Sequence, residues 1–141
     1  MEATMRVEVR SRVPGGQRLP DVLVELAQER TTVRALIRAA VAEQVRSWQG
    51  DQVRCRAMLD RQYLTDAEVR AQAATGVVRL PGRADAEPDV EAEVARAWRA
   101  FERGAFALFV NGVQADTLDE EIVLRLGEPV VFVRLTALAG G

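Results

Sequence analysis

The chain has 141 residues, 48% of them hydrophobic and 28% charged, which is an ordinary composition for a one-domain globular protein. Its formal net charge is −2, and no basic stripe indicates a nucleic-acid partner. The apolar runs are far shorter than the ~20 residues that a membrane span needs, and the first residues lack the plan of a signal peptide. We therefore expect a cytoplasmic protein that binds neither nucleic acid nor membrane.

Two scarce residue types narrow the chemistry further. The sequence contains no His and a single Cys, Cys55. This excludes His-based zinc sites, Cys–His and Ser–His nucleophile pairs, and a disulfide within one chain. Arginines flank Cys55 and can lower the pKa of its thiol. Because no base accompanies this single cysteine, we interpret it as a residue without a catalytic role. We expect no metal site and no enzyme; where the chain takes part in chemistry, a partner supplies the catalysis.

The N-terminal segment predicts a β-hairpin. Apolar and charged side chains alternate over residues 5–13, which is the period of a half-buried strand. Pro14-Gly15-Gly16 predicts a turn. A second short strand is predicted over residues 22–26.

An amphipathic helix of about four turns is predicted next. Thr31 and Thr32 offer hydroxyl groups for its N-cap. Apolar residues then recur at helical spacing: Val33, Leu36, Ile37, Ala40, Val41 and Val45. The polar segment 47–51 predicts the end of this helix, which can lie across one face of a sheet.

Residues 51 to about 104 differ in character and predict two helices. Thr65-Asp66-Ala67-Glu68 is a capping box that begins a short helix ending near Gly76. Asp89 caps a stronger helix, and Gly104 stands where its C-cap belongs. The apolar face of this second helix consists of Val90, Val94, Ala97, Trp98 and Phe101. We expect this region to pack against the edge of the sheet or to form an additional partner surface.

The C-terminal segment returns to strands. Residues 105–110 predict an apolar strand, and Asn111-Gly112 is a strong hairpin signal. A polar connection, a short apolar piece at 122–126 and a turn at Gly127-Glu128-Pro129 follow. Residues 130–135 form a β-branched run that is apolar apart from Arg134, which is typical of a central strand. Six more residues end in Gly140-Gly141.

This order of elements predicts an α+β fold, namely a β-grasp with a mixed sheet of four or five strands packed on one main helix. Residues 1–135 are then a single domain, with its core in 5–47 and 105–135 and a helical insertion at about 51–104. Residues 136–141 are predicted to be a flexible C-terminal tail.

Several segments resemble the C-terminal half of the MoaD and ThiS sulfur carriers. They are Phe109-Val110-Asn111-Gly112, the run from Leu126 to Phe132, and the terminal Gly140-Gly141. Ubiquitin and its relatives share the fold and the ending. The resemblance covers roughly residues 5–47 and 105–141, and the middle is an insertion relative to the compact family members. The tail is longer than is usual for sulfur carriers and closer to that of ubiquitin.

The resemblance implies that Gly141, preceded by Gly140, is adenylated by an activating enzyme similar to MoeB, ThiF or the ubiquitin-activating enzymes. The partner enzyme uses ATP, and the chain itself binds no cofactor. Glycines lack Cβ, so their backbone can enter a narrow channel and approach the phosphate closely. Leu138, Arg134 and Phe132 are candidate partner-binding residues, although Phe132 also fits the core.

Three functions stay open on the sequence. In the first, Gly141 becomes a thiocarboxylate, and the chain is a sulfur carrier that serves a sulfur-acceptor enzyme. In the second, the chain is a bacterial ubiquitin-like modifier, conjugated to a target protein by the products of a conjugation operon such as one of antiviral defence. In the third, it is a β-grasp module that binds a partner without covalent chemistry.

Overall fold

The computed structural model describes residues 5–13, 21–47, 52–65, 67, 89–125 and 127–135. Seven strands and three helices lie within these ranges. In chain order they are β1 (Met5–Arg12), β2 (Val22–Leu26), β3 (Arg30–Thr32), α1 (Val33–Ser47), α2 (Gln52–Tyr63), α3 (Val90–Glu102), β4 (Phe106–Val110), β5 (Val113–Gln114), β6 (Glu121–Val123) and β7 (Val130–Arg134).

Five strands form one mixed sheet in the order β2-β1-β7-β4-β5. Strand β1 pairs antiparallel with β2 and parallel with β7, and β7 pairs antiparallel with β4. The last of the described strands therefore lies in the middle of the sheet. This arrangement confirms the predicted α+β architecture, a mixed sheet in β-grasp order with helices against it.

The inner side of the sheet carries the core. Alternation along β1 buries Val7 and Val9, and alternation along β7 buries Val130 and Phe132. Helix α1 covers these side chains with the predicted apolar stripe, in which Val33, Leu36, Ile37, Ala40 and Val41 are fully buried. The hydroxyl oxygen of Thr32 accepts a hydrogen bond from the N–H of Ala35 at 3.1 Å, which confirms the predicted N-cap.

The two other helices pack over the same inner side, around the ring of Phe106. The centroid of that ring lies 5.2 Å from Tyr63 of α2, 5.8 Å from Phe101 of α3 and 5.4 Å from Phe132 of β7. Helix α3 begins after the predicted Asp89 cap, whose carboxylate accepts from the N–H of Glu91. The described part of the insertion thus packs on the inner side of the sheet and extends the core, whereas the prediction was packing against the edge of the sheet or an additional partner surface.

Two elements of the described structure were not predicted, and two predicted segments lie almost wholly outside the described residues. Helix α2 was not predicted, and neither was the two-stranded sheet in which β3 pairs antiparallel with β6. The short helix predicted from Thr65 to Gly76 falls almost wholly outside the described residues, as does the tail from 136 to 141.

The predicted turns at Asn111-Gly112 and Gly127 are confirmed. Asn111 and Gly112 have φ of 53° and 78°, the left-handed conformations that a tight two-residue hairpin requires. Gly127 has φ of 85° and precedes β7. These turns fix the pairing of β4 with β5 and the entry of the chain into the central strand.

Candidate functional site

The predicted reactive glycines follow β7 in the chain, and the end of this strand is held by pairing with β4. Arg134 of β7 is paired with Phe106 of β4 in the antiparallel ladder. The N–H of Leu135 donates to the carbonyl oxygen of Ala105 at 2.9 Å. The backbone is therefore tied to its neighbour through Leu135, immediately before residue 136.

Of the predicted site residues, Gly140, Gly141 and Leu138 lie outside the described part of the chain. Their roles stay predictions.

Phe132 and Arg134 are placed inside the fold. Their exposed fractions are 0% and 2%. The reason is the two-residue period of a strand, which turns Val130, Phe132 and Arg134 to the helix side together. Side chains this deeply buried cannot contact a partner directly, so the prediction that they bind one is wrong for the structure as described. We instead assign both residues to holding β7 in place.

The opposite side of β7 offers an apolar surface that sequence reasoning missed. Val131 and Val133 are partly exposed there, and Leu135 is 53% exposed. Phe109 of β4 pairs with Val131 and shares this side. We call Phe109, Val131, Val133 and Leu135 the outer-face patch. The run 130–135 concealed it, because both of its faces carry apolar residues and its one charged residue, Arg134, lies on the inner side.

Two arginines flank the patch on the neighbouring strand. Arg10 pairs with Val131 and Arg12 with Val133 in the parallel register of β1 and β7. The Nε of Arg10 donates to Oε1 of Glu8 at 2.9 Å. This hydrogen bond lowers the pKa of the Glu8 carboxyl and raises that of the Arg10 guanidinium. Arg12 donates to the backbone carbonyl of Ser11 at 3.3 Å, and its positive charge also helps to lower the pKa of Glu8.

Polar groups are buried on the helix side of the same strand end. The hydroxyl of Tyr63 donates to Oε1 of Gln44 at 2.7 Å, and both residues are 1% exposed. Burial raises the pKa of the Tyr63 phenol far above its ordinary value. Gln62, beside it on α2, is 0% exposed, and neither of its amide atoms has a hydrogen-bond partner within the described residues. These groups enclose the inner side of the sheet without forming a nucleophile–base pair.

Among the residues that the structure describes, no group of three acidic or Cys side chains is placed to hold a metal ion. No helix in the same ranges has the length and apolarity to cross a membrane. Comparisons with protein-family models, with curated proteins and with solved structures found no significant match to the chain.

Proposed function

We propose that the chain is a ubiquitin-like carrier or modifier whose Gly141 carboxylate is adenylated by a partner enzyme. The observation that supports this most is the position of β7, which is central in the sheet, parallel to β1 and directly followed by the segment 136–141. Six extended residues span at most ~20 Å. An enzyme that holds the domain can therefore receive the segment in an active site that is buried well below its own surface.

The outer-face patch is suited to be the surface by which such an enzyme binds the domain. Partly exposed apolar side chains beside the charged Arg12 combine burial of apolar area with electrostatic orientation. Because Val133 lies in β7 and Leu135 directly follows that strand, contact at the patch also directs the tail. In this proposal Leu138 contacts the channel of the enzyme, and Phe132 and Arg134 position β7.

The chemistry at Gly141 needs only its carboxylate. A carboxylate oxygen attacks the α-phosphorus of ATP bound to the partner, and pyrophosphate leaves. A hydrosulfide sulfur or an amine then attacks the carbonyl carbon of the acyl-adenylate, and AMP leaves. Gly140 and Gly141 add no side chain that would hinder either attack. Catalytic groups come from the partner, in keeping with a sequence that has no His.

ATP–pyrophosphate exchange tests the proposal directly. The chain is incubated with purified MoeB-type and ThiF-type adenylating enzymes of its own organism, with ATP and labelled pyrophosphate. We expect exchange with one of them, loss of exchange when Gly140 and Gly141 are deleted, and strong reduction in Val133→Glu, which places a charge in the patch. Exchange by the deleted chain at the full rate would refute the role of Gly141.

Intact mass then separates the carrier from the modifier. A sulfur carrier gains the mass of one sulfur in place of one oxygen, whereas a modifier forms a covalent adduct with a second protein. The Asn111-Gly112 hairpin favours the carrier, and the tail length together with the insertion of α2 and α3 favours the modifier. The third function, a non-covalent binding module, predicts a different pattern. A partner would then bind the tail-deleted chain as tightly as the full chain, but would not bind Val133→Glu.

A further inference from the structure

Helix α2 buries a polar side chain that its packing does not satisfy. Gln62 is 0% exposed, and neither of its amide atoms has a hydrogen-bond partner within the described residues. The same amide can bond to water whenever the helix leaves the core, so burial without a partner disfavours the docked position. Helix α2 is therefore held against the core less firmly than its apolar contacts alone would hold it.

The apolar contacts of α2 are also few. Among the α2 side chains that the structure describes, the buried apolar ones are Leu59 and Tyr63. Helix α1, by contrast, is held on the sheet by the five fully buried apolar residues of its stripe, and its buried Gln44 is hydrogen-bonded to Tyr63. An element with few buried apolar contacts opens at a lower free energy than the rest of its domain.

Charged contacts join α2 to its other neighbour, α3. Arg56 donates to Glu93 at 2.6 Å, and Arg96 donates to Asp60 at 2.7 Å. The side chains of Arg56 and Asp60, both on α2, are 29% and 20% exposed, so water already reaches them. Removal of one partner leaves the other without its opposite charge, whereas movement of the whole helix puts both partners into water. These contacts therefore oppose the opening of α2 less than they oppose the loss of a single charge.

Helix α3 is anchored independently of α2. The indole N–H of Trp98 donates to the carbonyl oxygen of Arg34 on α1 at 3.0 Å. This hydrogen bond does not involve α2, so α3 can stay on α1 when α2 moves. The boundary of a moving unit accordingly lies between α2 and α3, at the contact of Arg56 with Glu93.

We propose that α2 is a lid over Phe106 that opens as a unit while α1, α3 and the sheet stay folded. In the closed state the ring of Tyr63 lies 5.2 Å from that of Phe106. Opening hydrates the amide of Gln62 and uncovers the ring of Phe106, which remains in contact with Phe101 and Phe132. The open state is thus a folded domain with an exposed aromatic surface.

The lid covers the end of β7. Phe106 pairs with Arg134, the last residue of that strand, and the N–H of the next residue, Leu135, donates to Ala105 beside Phe106. Opening of α2 therefore changes the surroundings of the strand end from which the chain continues into residues 136–141. The opening depends only on α2 and the elements it contacts, so it is independent of the chemistry at Gly141.

Hydrogen exchange of the full chain, followed by nuclear magnetic resonance at pH 7, tests the inference. Tyr63 is neutral at this pH in the folded and in the unfolded chain, so its ionisation does not contribute. We expect the protection factors of the hydrogen-bonded amides of α2 to be at least about tenfold lower than those of α1 and α3. Equal protection of all three helices would show a single cooperative unit and overturn the inference.

Val24→Ala separates opening of the lid from unfolding of the whole chain. Val24 lies in β2 and is 2% exposed, and its contacts persist when α2 opens. The variant should lower the protection of α1 several-fold and leave that of α2 unchanged. An equal loss of protection in α2 would mean that this helix leaves the core only when the whole chain unfolds.

Gln62→Met tests the cause of the opening, because methionine matches the length of glutamine but needs no hydrogen-bond partner. We expect the protection of α2 to rise about tenfold. Ala57→Met places the same residue on the exposed side of α2 and, as the control, should leave the protection unchanged. If Gln62→Met does not raise the protection of α2, a buried water satisfies the amide and the inference is overturned.

Discussion

Trp98 of α3 contacts Arg34 of α1 through two different groups. The indole Nε1 donates a hydrogen bond to the backbone carbonyl oxygen of Arg34 at 3.0 Å, and the guanidinium carbon of Arg34 lies 4.9 Å from the centroid of the indole ring. Arg38, one turn later, lies 5.4 Å from the same ring and pairs with Glu91. The helix of the insertion is thereby joined to the main helix of the sheet.

Replacement of Trp98 should therefore loosen the insertion from the β-grasp core. Trp98→Phe keeps an aromatic ring but removes the Nε1–H donor and weakens the cation–π contact, so we expect the free energy of unfolding to fall by about 1–2 kcal/mol. Urea denaturation followed by circular dichroism measures the loss. Arg99→Gln, an exposed change on the same helix, should lie within about 0.5 kcal/mol of the parent chain. Equal stability of all three chains would contradict the role of this contact.

A second junction, between α2 and α3, depends on the buried carboxylate of Glu93. Its oxygens accept from Nη1 of Arg56 at 2.6 and 2.9 Å, and Arg96 lies 3.4 Å away while it pairs with Asp60 at 2.7 Å. Glu93→Gln removes the negative charge that Arg56 and Arg96, both partly buried, share at this position. We expect a loss of about 2–3 kcal/mol in unfolding free energy. Glu91→Gln, at an exposed pair on the same helix, should cost much less, and salt should suppress its effect.

The order of the elements along the chain and the central place of β7 could be predicted from the sequence because the signals are local and strong. Alternation over residues 5–13, the Asn111-Gly112 turn and the β-branched run at 130–135 each specify one element, and few topologies join them. Strands β3 and β6 escaped prediction because three residues are too few to show a period, and Arg30-Thr31-Thr32 contains no apolar residue. They form because β6 is brought opposite β3 by the rest of the fold.

Helix α2 escaped prediction for a related reason. Its sequence is mostly polar, and the signal lies in Leu59 and Tyr63, four residues apart and both 1% exposed. One such pair is weak evidence for a helix unless the aromatic cluster that it packs against, Phe106 with Phe101, is already placed. The side of β7 that faces outward was hidden as well, since both of its faces carry apolar residues and its one charged residue, Arg134, lies on the buried side.

The burial of Phe132 leads to a prediction about the two faces of β7. Phe132→Ala should lower the unfolding free energy by about 3–5 kcal/mol, because it opens a cavity beside Phe106 in the centre of the core. Leu135→Ala, on the exposed patch, should change it by about 0.5 kcal/mol or less and instead weaken binding of an activating enzyme. If both substitutions have the same effect on stability, the assignment of Phe132 to the core and Leu135 to the surface is wrong.

Tyr63 gives a pH-dependent prediction that a spectrum can follow, because it is the only tyrosine in the chain. Burial raises its pKa above the ordinary value of 10.0, and the fold therefore favours the neutral phenol. The resulting stability is complete below pH 10 and is lost as the pH rises above that value, since the unfolded chain releases the proton and the folded chain retains it.

Phenolate absorbance should therefore appear only together with alkaline unfolding, seen as loss of the circular dichroism of the helices. Tyr63→Phe is the matched variant. It should be less stable at neutral pH, because Gln44 loses its donor, but should lose less stability between pH 10 and 11 than the parent chain. A phenolate signal at the ordinary pKa in a chain that is still folded would show that Tyr63 is accessible to solvent and that α2 does not close over Phe106.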